Sequence, residues 1–141
     1  MAIVYFDSSA LVKLVVDEDG SDTAAALWDG CDAAVSSRLA YPEVRAALAA
    51  AGRAHRLGDT ERIQAEEMWQ EFWAALRVVE LSEAITAHAG QLAAKHALGG
   101  ADAVHLASGL AVGAAETVFA VWDQRLRTGA HEADLQVAPR Q

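Results

Sequence analysis

The sequence predicts an α/β fold, a single domain in which a central parallel β-sheet is flanked by helices. Short apolar runs rich in β-forming residues alternate with longer amphipathic stretches, and this alternation is typical of parallel sheets covered by helices on both faces. The chain of 141 residues has the size of one domain and contains no obvious linker, internal repeat or low-complexity tract. Residues 1–141 are therefore expected to form one domain.

The first half of the chain contributes two predicted strands and four predicted helices. Residues 2–6 (AIVYF) form an apolar run that predicts a buried strand, and the serines that follow Asp7 favour the start of a helix. A second helix is predicted at 21–29, with Ser21 as its cap and Gly30 as its stop. The other predicted elements are a strand at 33–35, a long helix at 37–56 whose regular part begins near Pro42, and a helix at 59–77.

The second half of the chain repeats the alternation of strands and helices. A strand is predicted at 78–81, followed by a helix that opens at Ser82 and runs to about residue 96. Two glycines then break the chain before a helix at 101–112 and a strand at 117–121. A short helix and a last strand at 135–137 complete the predicted fold.

Composition and charge narrow the classes of function. The only cysteine is Cys31, which excludes a disulfide scaffold and argues against a cysteine-based zinc site. No apolar run approaches the roughly 20 residues that span a bilayer, and the N-terminus lacks a basic leader, so a cytoplasmic protein without membrane contact is expected. The net charge of −9 has the wrong sign for a nucleic-acid enzyme. It reflects either ordinary solubility or a carboxylate cluster that a cation neutralises.

Four acids occupy positions where a metal site could form. Asp7 and Asp123 follow apolar strands, Asp102 opens an apolar helix, and Glu43 lies on a helix face otherwise lined by apolar residues. Each acid alone could equally be a helix cap, a dipole-complementing residue or a solvated position. Ligands of open parallel sheets bind beyond the carboxyl ends of the strands, and several converging carboxylates suit Mg²⁺ or Mn²⁺. Together the acids predict a divalent-metal site.

Four segments of this chain resemble, in order and spacing, the motifs of the PIN-domain nucleases, and most of all the VapC toxins of bacterial type II toxin–antitoxin pairs. The segments are VYFDSSALVKL, SSRLAYPEVRAAL, GGADAVHLASGLA and FAVWDQRL. The resemblance implies that Asp7, Glu43, Asp102 and Asp123 form a catalytic and metal-binding quartet and that Ser9 supports it. It also implies a Mg²⁺- or Mn²⁺-dependent endoribonuclease that forms homodimers and is neutralised by a cognate antitoxin protein.

Other residues near the motifs have more than one interpretation. The last motif often has a hydroxyl residue two positions before its acid, and Val121 stands there in this chain. His105 lies one helical turn after Asp102 and could share a metal, although a packed structural histidine is the favoured interpretation. Arg38 and Arg45 flank Glu43 and could hold RNA phosphates or pair with surface acids. The aromatic residues Trp69, Phe72 and Trp73 suggest core packing or, less favoured, an exposed dimer or antitoxin groove.

Two alternatives to the nuclease prediction remain open from the sequence. A catalytically inactive PIN-type domain could serve as an RNA- or protein-binding module, although its acids are all present. A phosphohydrolase could use Asp7 as a nucleophile, but such enzymes of the haloacid-dehalogenase type have a second acid two residues later, where this chain has Ser9.

Overall fold

The computed structural model describes residues 2–140 and contains one five-stranded sheet, parallel throughout, with helices on both faces. The strands are β1 (Ile3–Phe6), β2 (Ala33–Ser37), β3 (Arg77–Val79), β4 (Thr117–Ala120) and β5 (Gln136–Ala138). The helices are α1 (Ser8–Val15), α2 (Ser21–Gly30), α3 (Ala40–Arg53), α4 (Asp59–Ala75), α5 (Glu83–His96), α6 (Gly100–Val112) and α7 (Gln124–Glu132). The predicted α/β class and the central parallel sheet are confirmed.

The order of strands across the sheet is β3-β2-β1-β4-β5, with the first strand at the centre. The chain therefore winds outward from β1 to β3 on one side and then crosses to β4 on the other side. Tyr5 pairs with Val35 of β2, and Phe6 pairs with Ala120 of β4. The point where the winding reverses lies between β1 and β4, and parallel sheets bind ligands in the crevice beyond the strand ends at this point.

Successive side chains of β1 point to opposite faces of the sheet and fill two separate cores. Val4 and Phe6 belong to the first core, and Tyr5 belongs to the second. The first core is completed by buried side chains of α1, α3 and α4, among them Leu11, Val44, Leu48 and Trp69. The second core is completed by α5, α6 and α7, through residues such as Leu92, Leu106 and Leu126. Because both faces are covered, the two central strands, β1 and β4, are largely apolar, as the sequence indicates.

The aromatic residues of α4 lie in the first core. Trp69 is fully buried, and Phe72 and Trp73 are partly buried against the same cluster. Trp73 also contacts Trp69, with ring centroids 5.6 Å apart. The prediction of core packing is confirmed for Trp69. Phe72 and Trp73 pack against the same core with part of their side chains.

Several boundaries differ from the sequence prediction: α3 ends at Arg53 rather than at 56, α4 ends at Ala75 rather than at 77, and β3 covers Arg77–Val79 rather than 78–81. The helix expected to begin at residue 37 begins at Ala40, because Ser36 and Ser37 extend β2 and are buried there. The Ser36 hydroxyl donates to the carbonyl oxygen of Phe6, which satisfies a polar side chain inside the sheet. The expected cap Ser21 is instead the first residue of α2, and Gly20, with φ of 91°, is its N-cap. The Ser21 hydroxyl donates to the carbonyl oxygen of Val16.

Other boundary predictions are confirmed. Ser82 caps α5 by accepting a hydrogen bond from the backbone N–H of Ile85, and Pro42 lies in the first turn of α3. Within residues 2–140, no helix combines the length and the hydropathy needed to cross a bilayer.

The contact of α6 with β4 leaves no space for a side chain at Gly109. A Cβ atom there would lie 2.8 Å from ring atoms of the buried Phe119, whereas a Cβ at the exposed Gly90 of α5 meets nothing within 4 Å. We expect Gly109→Ala to lower the free energy of unfolding by about 1–3 kcal/mol, because overpacking outweighs a gain in helix propensity of about 1 kcal/mol. Gly90→Ala keeps only that gain and should raise stability. Urea denaturation of both variants checks this, and equal stabilisation would refute the tight contact.

Candidate metal and catalytic site

Asp7 is the first residue beyond β1 and lies at the point where the winding of the sheet reverses. Its carboxylate caps α1 by accepting a hydrogen bond of 2.8 Å from the backbone N–H of Ala10, and the residue is only 3% exposed. Burial raises the pKa of Asp7 from 3.8 to about 6. His105 and the Ala10 N–H lower this pKa in part, while the charges of Asp102 and Glu43 raise it further.

Glu43 reaches the same region from the first turn of α3. Its Oε1 atom accepts a hydrogen bond of 2.6 Å from the Ser8 hydroxyl and lies 2.7 Å from Nε2 of His105. Burial acts against the charged form of Glu43, but the hydrogen bonds from His105 and Ser8 outweigh it, so the pKa is lowered. Asp7 and Glu43 therefore experience opposite environments within one cluster.

The other two acids lie at the N-termini of helices α6 and α7. Asp102 is half-buried in the first turn of α6, and burial, followed by the charge of Asp123, raises its pKa. The positive charge of Arg125 acts in the opposite direction. Asp123 is exposed and caps α7 by accepting a hydrogen bond of 2.9 Å from the backbone N–H of Leu126.

Each of the four predicted acids lies near enough to at least one other for their charges to interact. Asp7 responds to the charges of Asp102 and Glu43, and Asp102 responds to those of Asp123 and Glu43. Such mutual effects require short separations, because the interaction between charges falls with distance and with screening by solvent. The cluster holds more negative charge than its own residues neutralise.

The donor set of this cluster fits a magnesium-like cation better than a zinc cage. Within residues 2–140, no three His, Cys, Asp or Glu side chains are close enough to hold one ion unaided. Zinc sites in proteins are built mainly from histidine and cysteine ligands, whereas Mg²⁺ keeps several waters and takes one or two carboxylates with substrate phosphate. Buried oxygen ligands with a raised pKa, such as Asp7, are stabilised by an added cation.

The structure separates the two serines that follow Asp7. Ser8 is the one that bonds Glu43, whereas Ser9 is exposed and makes no side-chain hydrogen bond to Asp7. Sequence reasoning singled out Ser9 and missed Ser8, since both follow the acid and only the helix rotation decides which side chain turns inward. His105 is 2% exposed and hydrogen-bonded on both ring nitrogens, which agrees with the favoured prediction of a structural histidine.

The predicted RNA-binding arginines have partners of their own on the surface. Arg38 forms a two-bond pair with Glu80 and lies over the ring of Trp73, 5.6 Å from its centroid. Arg45 donates to the Tyr41 hydroxyl at 3.2 Å. These contacts are solvent-exposed and therefore weak, so either arginine can exchange its partner for a phosphate at little cost.

Two further basic side chains lie next to the last motif. Arg125 is exposed and close enough to Asp102 to affect its pKa. Arg127 is buried and donates to the backbone carbonyls of Val121 and Pro139, so it holds the chain end rather than facing solvent. Val121 itself is fully buried, in the position where the resemblance leads one to expect a hydroxyl.

Residues 4–128 of the chain match the PIN domain family, and all four acids lie within the matched region. The chain belongs to the PIN-domain family. A relative within the family, "Ribonuclease VapC45" from Mycobacterium tuberculosis (strain CDC 1551 / Oshkosh), is 64% identical over 141 residues, which covers 100% of this chain and 98% of the relative. Identity of this extent confirms the resemblance to the VapC group of PIN domains.

Solved structures share the same fold at much lower identity. PAE2754 from Pyrobaculum aerophilum superimposes with a TM-score of 0.70 at 17% identity, covering 96% of this PIN domain and 83% of that chain. VapBC2 from Rickettsia felis, bound to a DNA fragment from its promoter, gives a TM-score of 0.66 at 12% identity and covers 96% of each chain. These likenesses concern the fold, which persists although few residues are shared.

The burial of Asp7 makes stability depend on pH. The folded protein holds a proton on Asp7 up to about pH 6, whereas the unfolded chain releases it near 3.8, so stability falls as pH rises between these values. Without added metal at pH 7.5, we expect Asp7→Asn to raise the free energy of unfolding by about 1–3 kcal/mol. Asparagine also caps helices well, so α1 keeps its cap.

Urea titrations of both proteins in EDTA at several pH values test this expectation. The gain should shrink as pH falls from 6 towards 4. The exposed Asp29 of α2 provides a matched control, since Asp29→Asn should change stability by no more than about 0.5 kcal/mol. An Asp7→Asn variant less stable than the parent at pH 7.5 would contradict the raised pKa.

Proposed function

We propose that this PIN domain is a Mg²⁺- or Mn²⁺-dependent endoribonuclease, the toxin of a type II toxin–antitoxin pair. The observation that carries the proposal is the cluster of carboxylates around the buried Asp7, in a chain 64% identical to a ribonuclease along its whole length. PIN-domain ribonucleases in general depend on a divalent metal. The choice of Mg²⁺ or Mn²⁺ follows from the oxygen-only character of the cluster.

Asp7, Glu43, Asp102 and Asp123 would supply the ligands of the cation, one or two of them directly and the others through bound waters. A bound divalent cation supplies Lewis acidity at the scissile phosphate and compensates the charge of the cluster. Asp7 contributes a buried carboxylate whose Oδ1 accepts the cap hydrogen bond from Ala10, while no hydrogen bond is made to its Oδ2 among residues 2–140. Glu43 contributes one that stays ionised over a wide pH range, since hydrogen bonds lower its pKa. Ser9 presents an exposed hydroxyl at the start of α1, where it can bond a water or a phosphate oxygen.

RNA approaches a protein of net charge −9, so local positive charge has to guide the backbone to the site. Arg38 precedes α3 and Arg45 lies on it, both exposed, and Arg125 is near enough to Asp102 to lower its pKa. We assign these three arginines to the phosphates that flank the cleaved bond, because each has only weak surface contacts to give up.

The protein partners follow from the VapC group. Solved VapBC complexes have the same fold as this chain, which supports an antitoxin protein as its partner. We further propose that the free protein is a homodimer. Sedimentation equilibrium of the purified chain distinguishes a dimer from a monomer, and a monomer at micromolar concentration would remove this part of the proposal.

Metal-dependent cleavage is the direct test of the proposed function. Purified protein free of antitoxin should cut RNA in Mg²⁺ or Mn²⁺ and stop in EDTA. Asp7→Asn and Glu43→Gln should each lower the cleavage rate by at least about 100-fold. Loss of a residue that only hydrogen-bonds to a metal ligand lowers activity by up to about this factor, and loss of the ligand itself should lower it at least as much. Asp29→Asn on exposed α2 is the control and should retain full activity.

The alternatives have distinct outcomes in the same assay. Cleavage that continues in EDTA, or in Asp7→Asn, contradicts the metal mechanism. Metal binding without turnover on any RNA would support the inactive binding module. A phosphate trapped covalently on Asp7 would instead support a phosphohydrolase.

A further inference from the structure

A chain of hydrogen bonds runs from the centre of the sheet to Glu43. The hydroxyl of Tyr5, in β1, lies 2.8 Å from Nδ1 of His105 on α6, and Nε2 of the same ring lies 2.7 Å from Oε1 of Glu43 on α3. The Ser8 hydroxyl, at the start of α1, is 3.0 Å from Nε2 and donates to the same carboxylate oxygen. Tyr5 and His105 are buried, whereas the Glu43 side chain is 30% exposed. These hydrogen bonds therefore connect the buried Tyr5 in the core with Glu43 at the candidate site.

The proton on His105 can be placed from its partners. Nε2 faces a carboxylate oxygen, which only accepts, and the proton of Ser8 is already donated to that oxygen. Nε2 must therefore carry a proton and donate it to Glu43. In the neutral ring Nδ1 then has no proton, and it accepts from the hydroxyl of Tyr5.

Tyr5 is suited to this role because its buried hydroxyl makes no other hydrogen bond among residues 2–140. The nearby hydroxyls of Ser36 and Ser108 donate to the backbone carbonyls of Phe6 and Val104, both at 2.7 Å, so their protons are committed elsewhere. Tyr5 is left as the hydroxyl that fixes the ring of His105.

We propose that Tyr5 and His105 are positioning residues that hold Oε1 of Glu43, so that the other carboxylate oxygen, Oε2, faces the cation site. Oε1 is occupied by two donors, whereas among residues 2–140 no hydrogen bond is made to Oε2. A carboxylate fixed in this way presents one oxygen in one orientation, and partners of this kind tune the metal affinity of a ligand. This inference rests on the proposed function for its effect on cleavage, but the arrangement of protons can be measured without metal or RNA.

A pair of amide substitutions at His105 separates positioning from simple packing. The amide nitrogen of glutamine lies as many bonds beyond Cβ as Nε2 of histidine does, whereas that of asparagine matches Nδ1 and falls short of Glu43. We expect His105→Asn and Tyr5→Phe each to lower Mn²⁺ affinity and kcat by about 10–100-fold, with little change in KM for RNA. His105→Gln should restore most of both.

Two control variants show whether a histidine substitution elsewhere, or the loss of a buried hydroxyl elsewhere, is enough to change Mn²⁺ affinity or kcat. His131→Gln makes the same substitution on the exposed end of α7, and Thr117→Val removes a buried hydroxyl at the opposite end of β4, which bonds the carbonyl oxygen of Gly113. Both should keep parental kcat and Mn²⁺ affinity, although Thr117→Val lowers stability. Mn²⁺ affinity is measured by electron paramagnetic resonance on folded protein. The ring nitrogens of His105 are observed by NMR in the metal-free parent and in Tyr5→Phe.

The outcomes separate this inference from the proposed function. A protonated Nε2 in the parent, a changed ring signal in Tyr5→Phe, and the rescue by His105→Gln support the positioning role. Equal Mn²⁺ affinity in the parent, Tyr5→Phe and His105→Asn would overturn it, as would an Nε2 without a proton. If the parent binds Mn²⁺ and cuts no RNA, the proposed function fails, while the affinities of the variants still decide the inference.

Discussion

The pairing of β1 with β4 at the centre of the sheet is the constraint on which the site depends. Phe6 is aligned with Ala120, and the N–H of Asp7 continues the ladder to the Ala120 carbonyl at 3.5 Å. Since these strands come from distant parts of the chain, their pairing brings Asp7 and the segment leading to Asp123 to the same edge. A shift in register by one residue would displace one acid relative to the other along the strand direction by one residue length.

The helices then set the remaining acids relative to that edge. Close packing of Gly109 on Phe119 brings α6 against β4, and the N-terminal turn of this helix carries Asp102. Helix α3 begins only after β2 has ended at Ser37, so Glu43 lies in its first turn beside Ser8. His105, Arg125 and the donors to Asp7 and Glu43 offset the electrostatic cost of the acids only in part, and packing in the two cores offsets the rest.

Much of this arrangement could be predicted from the sequence. The apolar run before Asp7 and the one before Asp123 indicate buried strands, and parallel strands end at a shared edge, so convergence of these acids follows from periodicity alone. Glu43 required the family resemblance, since its helix face gives no signal of its own. The roles of Ser8 and Tyr5 could not be predicted, because they depend on helix rotation and on which face of β1 meets α6. The same limit applies to Ser37, whose burial extends a strand where the sequence suggests a helix.

Asp7 and Glu43 differ in how their carboxylates are stabilised, because hydrogen bonds that keep a carboxylate ionised also leave fewer of its oxygens available to a cation. A carboxylate stays ionised when hydrogen-bond donors stabilise its negative charge. Each of those donors, however, occupies an oxygen lone pair that a cation could otherwise use. Glu43 follows this course, with Oε1 bonded to Ser8 and directed at His105. Asp7 has a single backbone donor and remains costly to ionise, which makes it a ligand with more to gain from a cation. In the proposed metal site, Glu43 would therefore be oriented before a cation binds, and Asp7 would be stabilised when it binds.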